Sequence, residues 1–87
     1  MEIVYFDKSE EQLIFLKKTN RVKILQKIRA LLESIIESPY QGLGKPEALK
    51  HHLSGLWSRR INKEHRLVYE MDLRNNRIII HSLLGHY

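Results

Sequence analysis

The sequence "LWSRRINKEHRLVYEMDLRNNRIIIHSLL" (residues 56–84) decides the fold, because two short polar turns divide it into three strand-like runs. The runs are Leu56–Asn62, His65–Met71 and Arg77–Leu84, and the turns are "NKE" (62–64) and "DLRNN" (72–76). The runs are rich in β-branched and aromatic residues, and strands joined by such short turns run antiparallel. The stretch therefore predicts a three-stranded antiparallel meander.

A further strand and a helix are predicted near the start of the chain. The run "EIVYF" (2–6) has the composition of a short strand, which can join an edge of the meander. A first helix is predicted over about residues 9–18. Ser9 and Gln12 have the spacing of a capping box at its start, and Asp7 is a rival N-cap.

The second helix has the clearest periodicity in the sequence. Asn20 is a good N-cap for it, and Pro39 predicts an end near Ser38 because a proline disfavours helix in its predecessor. Its apolar residues recur at steps of three and four and form one stripe. They are Ile24, Leu25, Ile28, Leu31, Leu32, Ile35 and Ile36.

Residues 39–55 are predicted to be loop, with both prolines and three of the four glycines, although "EALKHH" (47–52) could form one helical turn. The element order is then β-α-α-loop-β-β-β. This order predicts an α+β fold with two N-terminal helices packed on one face of a four-stranded antiparallel sheet. The 87 residues form a single domain, 1–87, and the other face of the sheet has no predicted cover.

Composition limits the classes of protein that this chain can be. It has no cysteine, so neither disulfides nor thiolate chemistry are available, which is typical of a reducing compartment. The N-terminus does not resemble a signal peptide, and no apolar run approaches the about 20 residues that span a bilayer. We expect a soluble, cytoplasmic protein that makes no contact with a membrane.

Almost all of the excess positive charge lies in one segment. The formal net charge is +5, and residues 45–66 hold six basic residues against Glu47 and Glu64. The basic residues are Lys45, Lys50, Arg59, Arg60, Lys63 and Arg66. Scattered lysines usually form only a solvated surface, but their concentration in one segment favours a polyanionic partner such as RNA.

The segment and the end of the sequence together offer the groups that RNA cleavage requires. A general base must take the proton of a ribose 2′-OH, a cation must stabilise the phosphate, and a general acid must protonate the leaving 5′ oxygen. Glu47, Arg66 and His86 are candidates for these three roles, and no residue pattern typical of a metal site accompanies them. Each also has a purely structural explanation, so the residues alone leave the question open.

The remaining histidines are assigned separately. An adjacent pair is poor chelating geometry, so we interpret His51 and His52 as structural or solvated. His81 lies in an apolar run and is interpreted as a satisfied core or edge residue. His65 begins a strand, where it could orient the turn or contact RNA, and its role stays undecided.

The stretch "GLGKPEALKHHLSGLWSRRINKEHRLVYEM" (42–71), together with the final "HY", resembles the YoeB family of bacterial toxins, within the RelE-like superfamily of ribosome-dependent mRNA interferases. The resemblance implies a fold like that of small microbial RNases and cleavage of mRNA in the ribosomal A site. It also implies attack by the ribose 2′-OH to give a 2′,3′-cyclic phosphate, with no cofactor or metal. The implied partners are a YefM-type antitoxin, the 70S ribosome with its mRNA, and a second copy of the chain.

The resemblance also assigns residues. The family's glutamate base falls on Glu47, its phosphate-stabilising arginine on Arg66, its acid on His86 and its terminal tyrosine on Tyr87. Lys50 and Arg60 match further basic positions that contact RNA or assist the reaction, and the charge cluster adds Lys45, Arg59 and Lys63 to the expected RNA-binding set. Gly85 is a departure, because family tails commonly have an aromatic residue before the final His-Tyr.

One alternative function remains at this point. A non-catalytic basic module that docks on RNA or the ribosome through residues 45–66 would explain the clustered charge, but it would leave the final His86 and Tyr87 without a role.

Overall fold

The computed structural model describes residues 1–85, and within them it has five strands, two α-helices and two short 3₁₀ turns. The strands are β1 (Glu2–Tyr5), β2 (Glu47–Ala48), β3 (Trp57–Arg60), β4 (Arg66–Asp72) and β5 (Arg77–Ser82). The helices are α1 (Asp7–Lys18) and α2 (Val22–Glu37), and the 3₁₀ turns are His51–Leu53 and Leu73–Asn75. The predicted α+β class and the meander of β3, β4 and β5 are confirmed.

The sheet differs from the prediction in strand number and in the direction of one edge strand. Its order is β1-β5-β4-β3-β2, and β1 pairs with β5 in parallel, so the sheet is mixed and five-stranded. A parallel pair needs a long crossover between its strands, and here all the other elements lie between β1 and β5. The extra strand, β2, is two residues long and occupies the start of residues 47–52, and the helical turn considered there occurs at their end as the 3₁₀ turn His51–Leu53.

None of the predicted N-caps, Ser9, Asp7 and Asn20, is the observed one, whereas the predicted end of α2 near Ser38 is confirmed. The N-cap of α1 is Phe6, so the helix begins two residues before the predicted start. The Ser9 hydroxyl instead lies 2.7 Å from the carbonyl oxygen of Ile80, and the Gln12 side chain binds the segment after β5. Asn20 has a φ of 54° and precedes the actual cap, Arg21. Among the described residues, no helix combines the length and the apolar character needed to cross a membrane.

The main core lies between the two helices and one face of the sheet. The stripe of α2 contributes Ile28, Leu31 and Ile35, each almost fully buried. Opposite them lie side chains of β4 and β5. Because side chains alternate along a strand, every second residue of each strand points to this face of the sheet. These residues are Leu67 and Tyr69 from β4 and Ile78 and Ile80 from β5.

The other face of the sheet is partly covered, contrary to the expectation that it has no cover. Leu49, Leu53 and Leu56 line a cleft of about 280 Å³ together with Val68 and other residues of the sheet. Leu49 and Val68 are buried, so the segment 49–56 forms a small second apolar cluster over β4.

Gly44 has no room for a side chain, which gives a first testable prediction. A Cβ there would lie 2.6 Å from Leu31 Cδ2, and φ is +84°. Gly55 also has a positive φ, but a Cβ there meets nothing within 4 Å. We expect about 1–2 kcal/mol of backbone strain in both alanine variants, and about 1–3 kcal/mol more in Gly44→Ala from overpacking. Urea unfolding measures both, and equal losses in the two variants would contradict the packing argument.

Candidate active site

The strand register places the main candidate residues on one face of the sheet. Leu67 and Tyr69 point into the core, and because side chains alternate along a strand, Arg66 points to the opposite face. Arg60 pairs directly with Arg66, so the two share this face. Glu47 pairs with Ser58, which lies two residues before Arg60 on β3 and therefore faces the same way.

Glu47 and Arg66 face the same space from strands that are separated by β3. From the spacing of strands and the rise per residue, their Cα atoms lie about 12 Å apart. Glu47 is exposed and Arg66 is half-buried. Both side chains are long, so a phosphodiester could lie between the carboxylate and the guanidinium.

Lys50 lies beside Glu47 in a second cleft. This cleft has a volume of about 700 Å³ and is lined by residues 47–53 alone. Lys50 is exposed, so its ammonium group can meet an anion that approaches Glu47. The fold therefore keeps together the two charged groups that the sequence places three residues apart.

Three other exposed residues of the expected RNA-binding set line a third cleft. Lys45, Arg60 and Lys63 line it together with Lys27 from α2, around a volume of about 350 Å³. No signal in the sequence marks Lys27, because the charges of residues 1–38 nearly balance and only the packing of α2 brings it here. Four basic residues that line one cleft create a positive potential that attracts phosphate.

Arg59 does not belong to this surface, and the expectation that it contacts RNA does not fit its position. The residue is fully buried, because alternation along β3 turns it toward the helices while Arg60 faces outward. Its guanidinium donates to the Ser34 hydroxyl (2.7 Å), the Tyr69 hydroxyl (3.2 Å) and three carbonyl oxygens. The carbonyl oxygens belong to Ser38 (2.6 Å), Gln41 (2.7 Å) and Leu43 (3.0 Å).

Arg59 thus organises the connection between α2 and β2. Tyr69 extends the network, since its hydroxyl donates to the carbonyl oxygen of Pro39 at 2.6 Å. Burial raises the pKa of the Tyr69 phenol, and the hydrogen bond and charge of Arg59 act in the opposite direction. Because these bonds fix residues 38–43, they set the path of the chain into the segment that carries Lys45 and Glu47.

The segment after β5 is held by Gln12, which was predicted to be part of a helix cap, and by His65, whose role the sequence left undecided. Gln12 Oε1 accepts hydrogen bonds from the backbone N–H groups of Leu83 (2.7 Å) and Leu84 (3.3 Å). His65 Nδ1 accepts one from the N–H of Gly85 at 2.8 Å. His86 and Tyr87 lie outside the described residues, so their roles stay predictions.

Of the other histidines, His51 and His52 line the cleft of Glu47 and Lys50, whereas His81 lies in β5. His81 Nε2 lies 2.7 Å from Glu70 Oε1, and its ring meets the edge of Phe6 with centroids 4.8 Å apart. This agrees with the interpretation of His81 as a satisfied residue, although β5 is an interior strand of the sheet and not an edge. His51 and His52 are exposed on the 3₁₀ turn beside Lys50.

Comparison of the fold with solved structures gives the class of protein. The chain superimposes on the YoeB/ParE toxin from Agrobacterium tumefaciens with a TM-score of 0.94, at 36% identity over all of both chains. The chain therefore has the fold of a small bacterial toxin of this α+β type.

Sequence comparison then gives the family. The model of the family described as "YoeB-like toxin of bacterial type II toxin-antitoxin system" matches residues 5–87. Toxin YoeB of Escherichia coli K12 is 38% identical over 87 residues, which cover all of both chains. YoeB of Staphylococcus aureus, solved as a dimer and in a heterotetrameric complex with YefM, has a TM-score of 0.89 at 41% identity, over 100% of this chain and 98% of that one. The chain belongs to the YoeB family and is a toxin of a type II toxin–antitoxin system.

Proposed function

We propose that this toxin is an endoribonuclease that cuts mRNA in the ribosomal A site and thereby stops translation. The observation that carries the proposal is the shared face of Glu47, Arg60 and Arg66 on three neighbouring strands. A carboxylate and two guanidinium groups around one open space suit a phosphodiester, because arginine binds two phosphate oxygens at once. The substrate supplies its own nucleophile, the ribose 2′-OH, so no activated serine or cysteine is needed.

The proposed reaction assigns one task to each residue. Glu47 takes the proton of the 2′-OH, and the 2′ oxygen attacks the adjacent phosphorus. Arg66 stabilises the negative charge that accumulates on the phosphate oxygens. His86 donates a proton to the departing 5′ oxygen, with Tyr87 beside it in the sequence. The products are a 2′,3′-cyclic phosphate end and a 5′-hydroxyl end, and no step requires a metal or a cofactor.

The basic residues that line the clefts around Glu47 and Arg66 would bind RNA. Lys50 adjoins Glu47 in its cleft, and the cleft of Lys45, Arg60 and Lys63 lies next to Arg66 through the β3–β4 pairing. Lys27 extends this cleft onto α2. Affinity for RNA should then fall steeply with salt, since each neutralised phosphate releases counterions.

The proposed partners follow from the family. The Staphylococcus aureus relative has been solved with YefM and as a dimer. We propose that a YefM-type antitoxin binds this chain and blocks its site, and that the chain can pair with a second copy. Its targets, the 70S ribosome and mRNA, would place it in the cytoplasm.

Deletion of His86 and Tyr87 separates the nuclease from the alternative, a non-catalytic basic module that docks on the ribosome. We expect a chain that ends at Gly85 to lose cleavage but to bind programmed ribosomes almost as tightly, because the basic clefts remain. Cleavage is measured by primer extension and binding by co-sedimentation. A double variant, Lys45→Ala with Lys63→Ala, should instead lose mainly ribosome binding, and the protein that does bind should still cleave. Unchanged cleavage by the shortened chain would refute the proposed role of the final two residues.

A further inference from the structure

The segment 83–85 is held by side chains from distant parts of the chain. Strand β5 ends at Ser82, and the next three backbone N–H groups are bound by Gln12 and His65. Gly85 is the last of the three, with a φ of +92°, a conformation that glycine adopts without strain. The direction in which the chain leaves Gly85 therefore depends on these contacts.

His65 is itself firmly placed by the turn between β3 and β4. Its backbone N–H donates to Asn62 Oδ1 at 2.8 Å, and its carbonyl oxygen accepts from Ile61 N at 3.0 Å. The residue is half-buried and directly precedes Arg66. Its ring is thus attached to the same backbone segment as the proposed phosphate-binding arginine.

The bond to Gly85 also defines the state of the imidazole. An N–H group donates, so Nδ1 must be the unprotonated, accepting nitrogen, and the neutral ring then carries its proton on Nε2. The bond thus joins the start of β4 to the residue immediately before His86. It spans 20 positions of the sequence, which is why the sequence alone leaves the role of His65 undecided.

We infer that His65 is a positioning residue, which holds Gly85 through Nδ1 and so fixes the backbone that precedes the proposed acid, His86. This inference rests on the proposed nuclease function. Acid catalysis requires the donor to lie within hydrogen-bond reach of the leaving oxygen, and a misplacement of about 1 Å can cost about a hundredfold in rate. Gly85 lacks a side chain that could pack and fix the segment, so the bond from His65 has a larger share of this task.

Three variants separate positioning from direct contact between His65 and RNA. Asparagine places an acceptor oxygen close to the site of Nδ1 but has no group at Nε2, glutamine places its polar atoms farther out, and leucine has no acceptor. His81→Leu is the matched control, since the His81 ring bonds Glu70 and packs against Phe6 and has no role in the proposed site. Urea unfolding of each variant confirms that it is folded under assay conditions.

The direct readout is the Gly85 amide in nuclear magnetic resonance, and the functional readout is single-turnover cleavage on programmed ribosomes. In His65→Leu we expect the Gly85 amide to lose its protection from hydrogen exchange. We expect the maximal cleavage rate to fall about 10- to 100-fold, while the toxin concentration that gives half of that rate stays unchanged. His65→Gln should resemble leucine, while His65→Asn should retain both the protection and most of the rate.

Two results would overturn the inference. An unchanged Gly85 amide in His65→Leu would show that His65 does not hold the segment, whether or not the protein is a nuclease. A protected amide in His65→Asn with a rate as low as that of leucine would show that His65 acts on RNA directly. If the wild-type chain leaves the message intact while its Gly85 amide responds as expected, then the nuclease proposal fails and the bond has no catalytic purpose.

Discussion

Replacement of Glu47 by glutamine is expected to lower the single-turnover cleavage rate of ribosome-bound mRNA by about 10²- to 10⁴-fold, the usual range for loss of a general base. Glutamine keeps the size and polarity of the side chain but cannot take the 2′-OH proton. Glu47 is exposed, and its pairing with Ser58 uses backbone groups, so we expect no measurable change in the free energy of unfolding. Binding to ribosomes should also persist.

Glu64→Gln is the matched control for Glu47→Gln. Glu64 is likewise an exposed carboxylate in the basic segment, but it lies in the β3–β4 turn, where its backbone N–H donates to Asn62 Oδ1. We expect its replacement to leave the cleavage rate within about twofold, since a surface change of this kind is nearly neutral. Equal rates for Glu47→Gln and the wild type would remove Glu47 from the mechanism.

Replacement of Arg59 by methionine is expected to have the largest effect on stability, because each buried acceptor that loses its donor costs about 1–3 kcal/mol. Methionine fills a similar volume but donates nothing, so the carbonyl oxygens of Ser38, Gln41 and Leu43 lose their partner. Small domains are stable by only about 5–15 kcal/mol, so much of the population could unfold at 37 °C. Arg59→Lys should also be damaging, because an ammonium group cannot reproduce the five contacts of the planar fork.

Arg60→Met is the matched control for Arg59→Met, since the two arginines are adjacent and Arg60 is exposed. We expect Arg60→Met to change the free energy of unfolding by less than about 0.5 kcal/mol and to weaken ribosome binding instead. Urea unfolding followed by tryptophan fluorescence measures the first effect and co-sedimentation the second. A stable Arg59→Met protein with impaired RNA binding would restore Arg59 to the RNA-binding set.

Local patterns in the sequence predicted the elements that follow from local physics. The apolar stripe gave α2, because a helix with one apolar face must bury it, and the short turns gave β3, β4 and β5 in antiparallel order. The direction of β1 and the existence of β2 depend on pairings between distant residues. A two-residue strand has no periodicity of its own that a sequence could reveal.

The candidate site divides in the same way. The cluster of charge located the basic clefts, but it could not distinguish Arg59 from Arg60, since composition treats neighbours alike. The alternation of a strand was the available signal, because it requires adjacent residues to point to opposite faces. The contacts of Gln12 with Leu83 and of His65 with Gly85 join residues far apart in sequence, and no local pattern predicts them.

Cleavage of a defined message on the ribosome tests the central claim most directly. Ribosomes are programmed with one mRNA in two forms. One form is all-ribose, and the other has a single 2′-deoxy nucleotide at the A-site position where the all-ribose message is cut. The purified protein is added in the presence of EDTA, at a level that the ribosomes tolerate. We expect cleavage of the all-ribose message only, with a 2′,3′-cyclic or 3′-phosphate end. Binding to the ribosome with both messages intact would contradict the nuclease function and leave the basic face as a docking surface.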